Sequence, residues 1–312
     1  MEVGGSRVGP LNSVASVYLF SLTLSLFFFQ SGIFSVLTPL PQMFCYLRLG
    51  RWAGISMPFL IFVVMSFVGS GIGLSYLLQF AIPGVVLSES IIKRYSVEKS
   101  FLLALSATVT AIMLFLSLYA SGQGLDISEL VKSGVQGIVD QVIAFNEGTG
   151  GTEEHLREFK KVAPLAVEGI ARIYYSLITI IVMFMLWCNI LGLSRILKRV
   201  GGTLPFGDLS KWRAPEYFVW GVIAGGVVLF AGVDSLVLLA VNLLLVLFVA
   251  YFFQGMAIVS CFLNRKELSG FLRGTVYAFI FVMWYLAIVV AVIGLFDLWF
   301  DFRKLDSPQE VE

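Results

Sequence analysis

An all-α, polytopic transmembrane helical bundle with an extracytoplasmic helical hairpin insert is the fold class this sequence predicts, and three observations carry the prediction. The chain is 58% hydrophobic and only 13% charged, with a mean hydropathy of +0.92, whereas soluble domains carry about 25% charge. Its apolar runs approach about 20 residues, the length at which an α-helix crosses a hydrocarbon layer of about 30 Å. Its Lys and Arg residues collect in short loops between those runs.

Backbone groups in lipid must be hydrogen-bonded within the protein, so each long apolar run is expected to be helical. Residues 1–12 hold one basic residue, Arg7, ahead of the first run at 13–30. No small-residue cleavage site follows it, so the run reads as an uncleaved span rather than a signal peptide. The second run, 33–47, is short and carries Pro39 and Pro41; it reads as a full span or as a re-entrant or broken segment. Runs at 53–68, 72–92 and 100–120 follow, then a hydrophilic insert, then runs at 174–193, 217–231, 235–263 and 275–300. The count is eight or nine membrane segments, in three stretches: N-terminal membrane helices at 1–120, the insert at 121–172 and C-terminal membrane helices at 173–312, all one membrane domain.

The insert opens with Asp126 and Glu129 in capping-box spacing, followed by Ile127, Leu130, Val131, Val135, Ile138, Val142 and Phe145 at helical intervals. A glycine-rich break at 148–151 precedes Thr152, Glu153 and Glu154, which start a second helix with acids in its first turn. Leu156, Phe159 and Val162 give that helix an apolar side, and Pro164 is expected to bend it toward the sixth span. The pair is expected to lie on the membrane face or cap the bundle; a small soluble binding domain is the other reading.

Orientation follows from placing short basic loops in the cytoplasm. With nine spans and a cytoplasmic N-terminus, one side receives Arg48 and Arg51; Lys93, Arg94 and Lys99; Arg195, Lys198, Arg199, Lys211 and Arg213; and Arg265, Lys266 and Arg273. The opposite turns near 31–32, 70–71 and 232–234 hold no Lys or Arg.

The net charge of +1 is not gathered on a basic face, which excludes nucleic acid as a partner. Cys45, Cys188 and Cys261 are far apart and read as packing residues rather than disulfide or metal ligands. His155 is the sole histidine and no Walker pattern is present, so no catalytic constellation, metal site or cofactor is indicated. Polar residues inside apolar runs remain as candidate ligand-binding positions: Gln79, Asn189, Asn242, Gln254 and Asp297, with Tyr251 three residues before Gln254 on the same helix face. Uncharged amides suit a neutral or zwitterionic solute and serve equally as interhelical glue. Gly69 and Gly73, and Gly221 and Gly225, are four apart and read as helix-packing positions. Glu89 and Lys93 read as an ion pair, Asp234 and Glu216 as helix caps, and Asp297 and Asp301 as carboxylates on one face with Arg303 and Lys304 as partners.

The segments Tyr251-Phe-Phe-Gln254-Gly255 and Gly294-Leu-Phe-Asp297-Leu-Trp299-Phe-Asp301-Phe-Arg303-Lys304 resemble the YybS-like family of uncharacterised bacterial membrane proteins, the domain of unknown function numbered 2232. The Pro-Leu-Pro segment at 39–41 and the Ile82-Pro83-Gly84 turn are similar to features of its N-terminal half. The resemblance implies distant similarity to the substrate-binding membrane components of energy-coupling-factor transporters, which bind small solutes in a helical bundle and borrow a separate ATPase. In place of their Ala-x-x-x-Ala motif the first span has Ser21 and Ser25. The resulting expectation is a bacterial inner-membrane protein in contact with the lipid bilayer that binds or helps move a small-molecule solute, with membrane or ATPase partner proteins. A scaffold that docks partner proteins is the alternative, and an intramembrane enzyme is a third class without a nucleophile and base to support it.

Overall fold

The computed structural model describes residues 13–69, 71–148 and 153–303, apart from the side chains of Glu153 and His155. Arg7, residues 149–152 and Lys304 lie outside the described residues. Among the described residues there is no strand and there are eleven helices: α1 Val14–Gln30, α2 Pro39–Leu49, α3 Arg51–Val68, α4 Ile72–Ile92, α5 Val97–Gly122, α6 Ile127–Gly148, α7 Glu153–Arg199, α8 Phe218–Ala231, α9 Asp234–Arg265, α10 Gly270–Val282 and α11 Trp284–Phe300. Five of them, α3, α4, α5, α7 and α9, are long and apolar enough to cross a membrane; the α10–α11 pair passes the same test only when taken together and, bent by 102°, is a broken span or a re-entrant loop. With the shorter apolar α1 and α8 and the broken segment around α2, these account for the membrane segments expected from the sequence.

Three runs differ in form from their simplest reading. Residues 33–47 do not form one helix: a 3-10 turn, Ile33–Leu37, leads into α2, whose first residue is Pro39. Two prolines without N–H groups, after Gly32 in a positive-φ conformation (65°), stop a helix from propagating through this stretch. At 11 residues, α2 is about 16 Å long and cannot span alone. Residues 275–300 are broken at Met283, whose extended backbone (φ −96°, ψ 95°) turns α11 by 102° from α10. The run from 174 to 193 is part of the single 47-residue helix α7, which takes Pro164 into its interior and is about 70 Å long, far more than a bilayer requires.

The chain divides into two compact units, residues 1–130 with 181–206, and residues 131–180 with 207–312. In the first unit, Met43, Cys45, Tyr46, Met57, Ile61, Leu87, Leu186, Ile190 and Leu193 form the fully buried core. Helices α3 and α4 approach closely at Gly73, where an added Cβ would stand 2.5 Å from the Phe62 carbonyl oxygen. Gly54 likewise lies against the Tyr46 ring.

In the second unit α9 and α11 touch backbone to backbone. A Cβ on Gly255 would stand 2.0 Å from the Val290 carbonyl oxygen, and one on Gly294 2.0 Å from that of Tyr251. Helix α8 presents Gly221 and Gly225 to Leu247 and Leu244 of α9. The insert forms the expected hairpin: Val139 of α6 packs with Ala163 and Val167 of α7, flanked by Val135 and Ile143. Lys132 pairs with Glu168 at 2.6 Å, and Lys160 with Glu147 at 2.9 Å. At its start, Glu129 Oε2 accepts from the Asp126 N–H, half of the anticipated capping box.

Candidate functional site

Two groups of buried polar side chains stand out, one in each unit. The first gathers where two helices depart from α geometry. Thr38 ends the 3-10 turn, and Gln42 follows it by four residues on the same face of α2. Opposite, α4 widens into a π turn at Leu77–Ala81, just before Pro83. Gln42 Nε2 donates to the Ala81 carbonyl oxygen at 3.2 Å, and Gly84 makes room for the Gln42 amide, since a Cβ there would lie 2.7 Å from Oε1. Ser25 Oγ of α1 donates to the Thr38 carbonyl oxygen at 3.0 Å and sits beside the Tyr76 hydroxyl without reaching hydrogen-bond geometry. Phe29 meets the rings of Tyr76 and Phe80 edge-on, with centroids 5.3 and 5.7 Å apart. From α7, Asn189 Nδ2 donates to Val36 O in the 3-10 turn and to Met185 O, each at 2.7 Å.

Thr38, Gln42, Tyr76 and Asn189 are all fully buried. Yet Thr38 Oγ1, Gln42 Oε1, the Tyr76 hydroxyl and Asn189 Oδ1 have no hydrogen-bond partner within the protein, nor does Ser21 Oγ on α1. Each such atom costs about 1–3 kcal/mol when left unpaired away from water, and irregular backbone at membrane depth occurs where it is enclosed by protein or lines a cavity.

The second group is built around a buried ion pair, although Arg303 Nε has no hydrogen-bond partner. Asp297, near the end of α11, receives Gln254 Nε2 (3.2 Å) and Arg303 Nη2 (2.7 Å) on Oδ2, and the Phe302 N–H (3.0 Å) on Oδ1. Arg303 Nη1 also donates to the Ser210 and Trp212 carbonyl oxygens at 3.0 and 2.9 Å. Gln254 Oε1 accepts from the Ala214 N–H at 3.1 Å, Arg265 Nη2 donates to the Arg303 carbonyl oxygen, and Arg213 pairs with Asp301. Because Asp301 takes a left-handed conformation (φ 37°), the chain turns back and Arg303 folds inward to zero exposure. This clasp ties the end of α11 to the 208–214 loop and to the end of α9. The α10–α11 pair, which starts five residues after Arg265, therefore ends at that same helix end instead of at the opposite one.

The candidate binding residues thus fall in different settings. Gln254 and Asp297 meet in the clasp; Tyr251, one turn earlier, packs its backbone against Gly294 and leaves its buried hydroxyl without a partner. Asn242 bridges α9 to α7, accepting from Ser176 N (3.1 Å) and donating to Arg172 O (3.1 Å), the two groups that an i to i−4 bond would otherwise join. Gln79 lies exposed in the π turn and donates to Ser75 Oγ at 2.7 Å. Asn189 is the candidate placed in the unpaired cluster. Of the glycines, Gly73 makes a backbone approach, Gly69 meets only the Ile72 side chain, and Gly221 and Gly225 meet leucines.

Sequence reasoning passed over Gln42, Tyr76 and Thr38, and gave Gly255 and Gly294 no packing role. The adjacent Pro39 and Pro41 were the available signal for the first and third. Glu89 does pair with Lys93 (3.5 Å), and also with Arg51 and the Tyr46 hydroxyl (2.7 Å). Asp234 and Glu216 are not caps: α9 starts at Asp234 itself after Val233, and Tyr217 is the cap residue of α8. Asp297 and Asp301 do not share a face, because the left-handed turn sends Asp301 outward to Arg213. The three cysteines are free, and no group of three His, Cys, Asp or Glu side chains able to hold a metal ion occurs among the described residues.

Apolar membrane-length helices around buried polar clusters define a polytopic α-helical membrane protein. Residues 14–298 match the family described as "Predicted membrane protein (DUF2232)", and the chain belongs to that family. Neither a curated protein nor a solved structure matches it.

Proposed function

We propose that this is a multi-pass protein of the bacterial inner membrane that binds, and helps move, a small uncharged polar solute in the core of its first unit. The observation that carries the proposal is the set of buried, unpartnered atoms of Thr38, Gln42, Tyr76 and Asn189, gathered where the 3-10 break and the π turn meet. Broken helices that free hydrogen-bonding groups near the bilayer midplane are how many transporters hold their solutes, and π turns are frequent at functional sites. The hydroxyls and amides offer both donors and acceptors and no charge, which selects a neutral solute. The aromatic rings of Phe29, Tyr76 and Phe80 supply a stacking wall. The resemblance to substrate-binding components of energy-coupling-factor transporters supports work alongside a separate ATPase partner.

The positive-inside rule supports an orientation with the N-terminus and the basic loops at 48–51, 93–99, 195–213 and 265–273 in the cytoplasm. In that orientation the α6–α7 hairpin is extracytoplasmic, and the end of α11, bonded to Arg265 through Arg303, is cytoplasmic.

The test is a thermal-shift titration of detergent-purified protein with vitamins, nucleosides and amino acids, alongside native mass spectrometry. A bound neutral solute should raise Tm, and Tyr76→Phe and Gln42→Leu should abolish the rise while leaving the fold intact. No shift with any neutral solute, or a shift that both variants retain, refutes the proposal. The hairpin favours a second reading, a scaffold that docks partner proteins, because Ile138, Val142 and Phe145 of α6 and Val162 and Leu165 of α7 are exposed on it. Deleting 126–145 would then abolish activity while Tyr76→Phe had no effect.

A further inference from the structure

We propose that the groove between the start of α8 and the end of α11 binds the ammonium group of a zwitterionic phospholipid. The groove is shallow and open, with a volume of about 580 Å³, and is lined by Glu216, Tyr217, Val219, Trp220, Leu298 and Trp299. Half of its lining is aromatic and one member is a carboxylate; no Lys or Arg lines it. Aromatic faces carry negative quadrupole charge and attract ammonium groups, and Glu216 adds a formal negative charge beside them. The start of α8 does not offset this with free N–H groups, because the Phe218, Val219 and Trp220 amides donate to the carbonyl oxygens of Pro215, Glu216 and Tyr217. An anionic headgroup therefore finds no donor among these amides.

The Arg213–Asp301 pair and the Arg303 bond to Trp212 O join the two backbone segments that flank the groove. Two apolar stripes lead away from it. Trp220, Ile223, Val227 and Phe230 recur at helical spacing on α8, and Trp299, Phe296, Val292 and Val289 on α11, all of them exposed. A headgroup seated on Glu216 places its acyl chains along these stripes, which a free amine would leave unused. Trp and Tyr at this position also match the headgroup level of a bilayer.

The experiment is native mass spectrometry of the full chain in neutral detergent with equimolar phosphatidylethanolamine, phosphatidylcholine and phosphatidylglycerol, repeated with Glu216→Gln and with Trp220→Leu/Trp299→Leu. The wild type should retain the two ammonium lipids over phosphatidylglycerol by about tenfold, and Glu216→Gln should lose most of that preference. The tryptophan pair should lower retention of both ammonium lipids, with Tm showing that each variant folds. Equal retention of phosphatidylglycerol, or an unchanged preference in Glu216→Gln, overturns the proposal and leaves an ordinary interfacial aromatic belt. Competition by soluble phosphoethanolamine at the same concentration as lipid also overturns it, in favour of a site for a free amine.

Discussion

In the first unit Thr38, Gln42, Tyr76 and Asn189 leave polar atoms without partners in a fully buried core, whereas in the second unit the buried Asp297 carboxylate takes three donors and Arg303 is bonded to two carbonyls besides. Both arrangements put polar groups out of reach of water. The second unit also leaves the Tyr251 hydroxyl and Arg303 Nε without partners; what separates the two is that its buried charges are met by an opposite charge and by carbonyls. A buried charge that is paired and hydrogen-bonded fixes one geometry and holds segments together, while a buried hydroxyl without a partner weakens the fold unless a ligand completes it. The clasp is therefore a structural lock, and the unpaired cluster is the place to look for a ligand.

Breaking the lock should have the largest effect. Arg303→Ala leaves Asp297 charged, buried and short of its strongest donor, and the expected loss is about 3–5 kcal/mol, read as a large drop in Tm or loss of a monodisperse peak in detergent. The double variant Asp297→Leu/Arg303→Met removes both charges and should be less damaging than Arg303→Ala alone. If the double variant is the worse of the two, the clasp is not acting as an isolated pair of charges.

Gly255→Ala comes next. A Cβ 2.0 Å from the Val290 carbonyl oxygen meets backbone, which cannot rotate away, and overpacking of this kind costs about 1–3 kcal/mol or more. Gly221→Ala, which meets only the flexible tip of Leu247, should cost distinctly less in the same melting experiment. Similar losses at the two sites would mean that α9 and α11 separate easily.

Length, apolarity and loop charge foretold the helical membrane class and the hairpin, because those depend on local pattern alone. Of the stripe expected on α6, Val135 flanks the hairpin contact but Ile138, Val142 and Phe145 are exposed, and the buried residue is Val139, which the periodicity had not singled out. The breaks were less legible. Pro39 and Pro41 marked the first, but nothing in the bulky run around Met283 marks the second. The pairing of Gly255 with Gly294 and of Gln254 with Asp297 links positions about forty residues apart, which no periodicity can reveal. Arg303 was expected as a partner of Asp297 and Asp301 and does pair with Asp297, but its complete burial follows from the left-handed turn at Asp301, which the sequence does not announce. Tyr76 is one aromatic among many in an apolar run; its interest comes solely from its missing partner.

Tyr76→Phe sharpens the comparison in the opposite direction. Removing a buried hydroxyl that has no partner should stabilise the ligand-free protein by about 1 kcal/mol, so Tm should rise slightly, whereas any solute-induced rise should vanish. A fall in Tm of the ligand-free variant would show that the hydroxyl is already satisfied, and the contrast between the units would collapse.

The smallest effect is expected at Lys132 and Glu168, which reproduce the chemistry of the Asp297–Arg303 pair with nearly the same separation, 2.6 against 2.7 Å, but with side chains 41% and 44% exposed instead of 0%. Water already solvates both partners, so their mutual attraction is screened and offset by the entropy of holding two long side chains. Glu168 also keeps Arg172 as a second partner when Lys132 is gone, and the hairpin retains its apolar contacts among Val139, Ala163 and Val167. Lys132→Ala should therefore leave Tm within the scatter of replicate melts, and added salt should erase any residual difference from wild type. A clear loss of stability that survives high salt would mean that the pair is shielded in the folded protein, by a partner or by lipid seated on the hairpin.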